Sequence, residues 1–121
     1  MAEKKMKLAT EARAGVVILH VSGSVDHVQY FLLEEAIQTQ LDRKQLHLVV
    51  NLSEMTYICS AGINTLGHAA SQYERVSGKA CYVKPANPAQ WQFLKTIGVD
   101  KIFPWADSVD AAVKEAAPPA A

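Results

Sequence analysis

Long apolar runs are missing from this chain: the longest, such as Gly15 to Leu19 and Tyr30 to Leu33, fall far below the roughly 20 residues needed to cross a bilayer. The amino-terminal MAEKKMKLATEARAG carries lysines but no apolar stretch of signal-peptide length. Cysteine is scarce, with only Cys59 and Cys81, and their separation fits no metal-ligand spacing. Excess charge is absent too, since 12 Lys and Arg balance 12 Asp and Glu. A chain with no basic surplus suits neither a nucleic-acid backbone nor anionic lipid, so no nucleic-acid or membrane partner is expected. Together these absences point to a cytoplasmic protein with two reduced thiols.

What is present is ordinary globular composition, 50% hydrophobic and 20% charged, in 121 residues, enough for one core and too few for two. Residues 1–6 read as a flexible basic end, 7–116 as the folded domain and 117–121 as a disordered tail. VVILHVS, residues 16–22, and LHLVVNL, residues 46–52, are β-branched and apolar, the mark of strands buried on both faces. Residues 7–13 are a weaker strand, joined to the first by the short Ala14-Gly15 break of a hairpin. ACYVK, 80–84, is a further interior strand, and KIFPW, 101–105, supplies only a short one because Pro104 cannot donate to a ladder.

Helices fill the gaps. Asp26 stands at an N-cap position before a helix over 27–41, with Val28, Tyr30, Leu33, Ile37 and Leu41 approximating its apolar face. A second helix begins at Cys59 or Ser60, repeats Ile63, Leu66, Ala70, Tyr73 and Val76 at helical spacing, and closes at Ser77-Gly78. Asn87-Pro88 starts a third that ends before Gly98, and Ser108 caps a fourth. The order β-β-α-β-α-β-α-β-α gives an α/β fold with a mixed sheet of four to five strands and about four helices.

The chemistry concentrates at Cys59-Ser60-Ala61-Gly62, where an apolar strand turns into a helix. The surrounding ICSAG lacks the Gly-x-Ser-x-Gly elbow of a hydrolase. A cysteine nucleophile wants a histidine and an orienting group, yet His20 and His47 fall inside strands and His68 lies two turns into the helix. Only His27 follows a strand end that could approach the site. There is no HExxH, CxxC or carboxylate cluster, so no metal or cofactor is expected and the chain reads as a non-enzyme. Taken locally, Ser60 has a plain alternative role as a helix cap.

The wider sequence resembles the bacterial anti-sigma-factor antagonists, which are small single-domain STAS proteins. The matching stretches are VSGSVDHVQYFLLEEAI, LVVNLSEMTYICSAGINTLG and SGKACYVKPANPAQWQFLKTIGVDKIF, and the likeness spans about residues 7–116. It implies a phosphorylation site at Ser60, modified by a partner that is both an anti-sigma factor and a serine kinase and restored by a serine phosphatase. It further implies that the unphosphorylated form binds the anti-sigma factor and frees the sigma factor. Asp26 matches an acidic position near the phosphoserine, with helix capping as its structural alternative. Ala61 and Gly62 complete the switch motif, where Gly62 either lets a partner backbone approach or relieves crowding in the first turn.

Two departures stand out. Cys59 replaces the aspartate usual before the serine, removing one negative charge, and reads as a small residue at a strand end or as an oxidisable thiol. Phe31 and Leu32 belong to a four-residue apolar run that cannot all face one core, so a docking or self-association patch is expected there, with Trp91 a weaker candidate beside inward Phe93 and Leu94. The alternative function is a STAS scaffold subunit of a larger signalling assembly, or a regulator of a non-sigma target, with Ser60 rarely modified.

Overall fold

The computed structural model describes residues 5–118. Strands β1 (Lys7–Arg13) and β2 (Val16–Val25) are followed by α1 (Tyr30–Asp42), β3 (His47–Ile58), α2 (Ser60–Arg75) and β4 (Lys79–Val83). Then come α3 (Pro88–Thr96), a 3-10 turn (Val99–Lys101), β5 (Trp105–Ala106) and α4 (Val109–Ala116). The sheet order is β1-β2-β3-β4-β5, antiparallel at the β1 edge and parallel elsewhere. This is the mixed sheet that the order of elements predicts, with helical crossovers forcing parallel neighbours.

Alternation along the buried strands builds two cores. Val17, Leu19 and Val21 of β2, with Leu48, Val50 and Leu52 of β3, meet Leu33 and Ile37 of α1, Leu66 and Tyr73 of α2 and Leu94 of α3. The opposite residues, Val16, Ile18, Val49, Cys81 and Val83, meet Ala112, Val113 and Ala116 of α4. The strands are therefore covered on both sides, as their continuous apolar runs require. Burial pushes the Cys81 thiol pKa up, aided by the nearby Glu115 charge.

Several boundaries differ from the expectations. Lys5 and Met6 belong to the folded body: Lys5 bridges to Ser24, while Met6 is buried and its N–H donates to Gln29 Oε1 at 3.1 Å. Residues 1–4 and 119–121 lie outside the described residues. At the tail, Ala117 packs against the α4-side core and Pro118 reaches Gly15. Helix α1 starts at Tyr30 rather than residue 27, leaving Val28 63% exposed instead of on the inner face. Val76 is likewise exposed, because it is the residue that ends α2.

Helices α1 and α2 close in the same way. After α1, the Lys44 N–H donates to Leu41 O and the Gln45 N–H to Gln40 O, both at 2.9 Å. After α2, the Ser77 N–H donates to Glu74 O at 3.1 Å and the Gly78 N–H to Tyr73 O at 2.8 Å. These are Schellman closures, and the left-handed residue in each is not glycine but Lys44 (φ 58) or Ser77 (φ 58). Gly78 is needed for a different reason, since a Cβ there would lie 2.5 Å from the Leu46 carbonyl oxygen.

Candidate functional site

Pairing at the carboxyl ends of β2 and β3 assembles the site. Val25 pairs with Ile58, and the Cys59 N–H donates to Val25 O at 2.9 Å. The chain thus leaves β2 at Asp26 beside the point where it leaves β3 at Cys59, so both segments emerge together at the carboxyl end of the sheet. Strand β3 carries an extra residue against β2 twice, between the pairs His20–Asn51 and Ser22–Glu54 and between Gly23–Met55 and Ser24–Tyr57. Such bulges bend and twist a strand next to a functional end. Gly23, at φ 81, supplies the backbone conformation at the second shift.

Ser60 is exposed and is the first residue of α2, with Cys59 in extended conformation (φ −86, ψ 171) as its N-cap. The capping alternative for Ser60 therefore fails on geometry: the cap position belongs to Cys59, and no side chain caps this helix. By contrast Asn87 caps α3 by accepting from Ala89 N–H, and Ser108 caps α4 by accepting from Ala111 N–H. The start of α2 also lacks an acidic residue. Its first-turn N–H groups and positive dipole end are left to solvent or to an external anion.

The neighbours of Ser60 are held by packing. Cys59 is half-buried, and Ala61 is half-buried with its carbonyl accepting from Thr65 Oγ1 at 3.0 Å. Gly62 is buried, and a Cβ there would meet Ile58 Cγ1 at 2.8 Å and Val25 Cγ1 at 2.9 Å. Of its two expected roles, relief of crowding accounts for the glycine, because the space it leaves faces the strand ends and not the surface.

Asp26 organises the entry to α1. Its Oδ1 accepts from the N–H groups of Val28 at 3.0 Å and Gln29 at 2.9 Å, its Oδ2 accepts from Gln29 Nε2 at 3.2 Å, and its carbonyl accepts from Tyr30 N–H at 2.9 Å. Loss of water around the carboxyl pushes its pKa up, but the bonds from the Gln29 side chain, the Gln29 and Val28 amides and nearby His27 outweigh this and leave it lowered. Gln29 also holds Met6, so it clamps the amino-terminal segment to the Asp26 turn. Sequence reasoning missed Gln29, because its partner Met6 lies 23 positions away.

Four apolar side chains surround this end of the molecule: Val28 and Phe31 at 63% and 46% exposure, Leu32 at 37% and Tyr57 at 43%. Phe31 and Leu32 point outward as expected, whereas Val28 and Tyr57 were not anticipated there. Trp91 and Phe93 exchange roles: Trp91 packs on the core and stacks edge-on with Trp105 at 5.2 Å, while Phe93 is exposed. His20 bonds Glu11 and Asn51, and His47 Nδ1 donates to Ala116 O at 2.7 Å, so both have structural roles. Among the described residues no group of His, Cys, Asp or Glu is arranged to hold a metal, and no helix is long and apolar enough to cross a membrane.

The STAS domain family profile matches residues 7–112. BtrV of Bordetella bronchiseptica, a candidate anti-sigma factor antagonist, is 30% identical over 109 residues, which is 88% of this chain and 91% of BtrV. The chain belongs to the STAS family of anti-sigma-factor antagonists. This STAS protein is also similar to an anti-sigma factor antagonist from Mycobacterium paratuberculosis, with a TM-score of 0.82 and 27% identity over 93% of this chain and 94% of that one. The fold is shared, at 16% identity and over 92% of this chain, with SpoIIAA of Bacillus in its unphosphorylated form (TM-score 0.68, 96% of that chain) and its phosphorylated form (0.66, 98%).

Proposed function

We propose that this STAS protein is an anti-sigma-factor antagonist in a partner-switching pathway, with Ser60 as its phosphorylation site. In the unphosphorylated state it binds an anti-sigma factor that is also its serine kinase. Phosphorylation of Ser60 releases that partner, and a serine phosphatase resets the switch. The observation that carries this reading is an exposed serine at the first position of an uncapped helix. A phosphate there meets free N–H groups and a favourable dipole, so it leaves the domain folded.

The segments that carry and flank it offer no cation of their own. Residues 26–42 and 53–74 contain Asp26, Glu34, Glu35, Asp42, Glu54 and Glu74 but no Lys or Arg. Arg75 lies fifteen residues along α2 from Ser60, about 22 Å at the helical rise. A docking partner fitted to the neutral hydroxyl meets an added charge of roughly −1.5 to −2, and an unmatched interfacial charge costs several kcal/mol. Val28, Phe31, Leu32 and Tyr57 supply apolar area for docking around the switch.

The test is incubation with ATP and any serine kinases encoded beside this protein, followed by mass mapping. Phosphate is expected on the peptide containing Ser60 and is lost in Ser60→Ala, which still binds the kinase. Phosphate confined to another residue rejects the assignment. Cys59, in place of the usual acid, favours a second reading in which Ser60 is rarely modified and the protein is a scaffold subunit. A large native assembly measured by light scattering, with no Ser60 phosphate, selects that one.

A further inference from the structure

Helices α1 and α2 both run away from Ser60, and their carboxyl ends flank an open surface cleft of about 490 Å³. Its apolar lining comes from Leu41, Leu46 and Val76, and Lys44 and Arg75 reach it from the two helix ends. Asp42 also lines it, with its Oδ1 accepting from Gln38 Nε2 at 2.9 Å. Among the described residues neither Lys44 nor Arg75 forms an ion pair. The volume is that of a small-molecule site. We infer that this cleft binds a single-chain amphiphile with a carboxylate head, its hydrocarbon lying on Leu41, Leu46 and Val76 and its head between Lys44 and Arg75.

The charge of the lining argues for an anionic head, since Lys44 and Arg75 outnumber the single carboxylate of Asp42. The Schellman N–H groups bond the carbonyls of Gln40, Leu41, Tyr73 and Glu74, so neither cation is needed for those four. Lys44, moreover, occupies a left-handed position (φ 58) where glycine is the unstrained choice. Sequence has placed a long cation where backbone geometry disfavours any side chain, at the mouth of an apolar cleft. A cationic head would meet Lys44 and Arg75 with like charge, and a fully apolar ligand would offer them no counter-charge. The inference does not depend on Ser60, which lies at the other end of α2.

Titration of the full chain with decanoate, followed by amide and methyl NMR shifts, tests it. Saturable shifts are expected at Leu41, Leu46 and Val76, with decanol binding at least tenfold more weakly. Lys44→Gly is expected to reduce decanoate affinity about tenfold while raising the melting temperature, since glycine relieves the left-handed backbone. That pairing of opposite effects separates lost binding from lost folding. Arg75→Gln is expected to weaken decanoate as well. Equal affinity for decanoate and decanol, undiminished affinity in Lys44→Gly, or shifts centred elsewhere would overturn the assignment.

Discussion

Replacing Ser60 with aspartate is expected to move stability and partner binding in opposite directions. The start of α2 has neither a side-chain cap nor an acidic residue, and Ser60 is exposed at its first position. A carboxylate there interacts with an otherwise uncompensated dipole end, a gain of about 0.3–1 kcal/mol. For a domain of this size the gain corresponds to a rise in melting temperature of roughly 1–5 °C. The same charge enters a surface segment with no Lys or Arg between residues 53 and 74. Against a partner fitted to a neutral hydroxyl the cost is about 2–5 kcal/mol, or roughly 30- to 5,000-fold in affinity. Urea unfolding and calorimetric titration with the kinase identified by phosphate mapping measure the two effects. A Ser60→Asp protein less stable than wild type contradicts the helix-start geometry. One that is stabilised and binds as tightly as wild type refutes the switch.

Three further outcomes follow from named contacts. Phe31→Ser combined with Leu32→Ser is expected to weaken kinase binding at least tenfold while the circular dichroism spectrum and urea midpoint stay close to wild type, and undiminished binding removes these residues from the interface. Gly78→Ala places a Cβ 2.5 Å from the Leu46 carbonyl oxygen, and a lowered urea midpoint equivalent to about 1–3 kcal/mol is expected from overpacking. Asp26 has a native pKa below its ordinary 3.8, so its ionised form stabilises the fold above that value and the contribution is lost as pH falls through the lowered one. Asp26→Asn should therefore be less stable than wild type near neutrality, with the gap closing in acid; a gap constant with pH would assign the effect to the turn alone.

Periodicity and punctuation carried most of the fold. The runs from Val16 and from Leu46 read as two-sided strands because both sheet faces are covered, and Asn87-Pro88 and Ser108 marked helix starts through their caps. The pattern failed where one residue does another's work. Strand β3 continues to Ile58, not Leu52, because bulges insert residues that break the alternation. Strand β5 is Trp105–Ala106 rather than 101–105, since Val99–Lys101 form a 3-10 turn and Pro104 can only accept. The placement of Asp26 and of Ser60 just past two strand ends was legible, because an apolar run stops directly before each. The exposure of Tyr57 was not, because it depends on how the bulges re-aim the end of β3. Phe93 and Trp91 were exchanged because Trp105, distant in sequence, gives the indole a ring to stack on.

The division of the interior by the sheet has an evolutionary consequence. Residues facing α4 form one buried cluster and those beneath α1 and α2 another, with the backbone wall of the sheet between them. Drift can remodel the α4 layer, trading one small aliphatic for another, without passing strain to the hydroxyl on the far side. Two halves of one small domain can therefore diverge at different speeds.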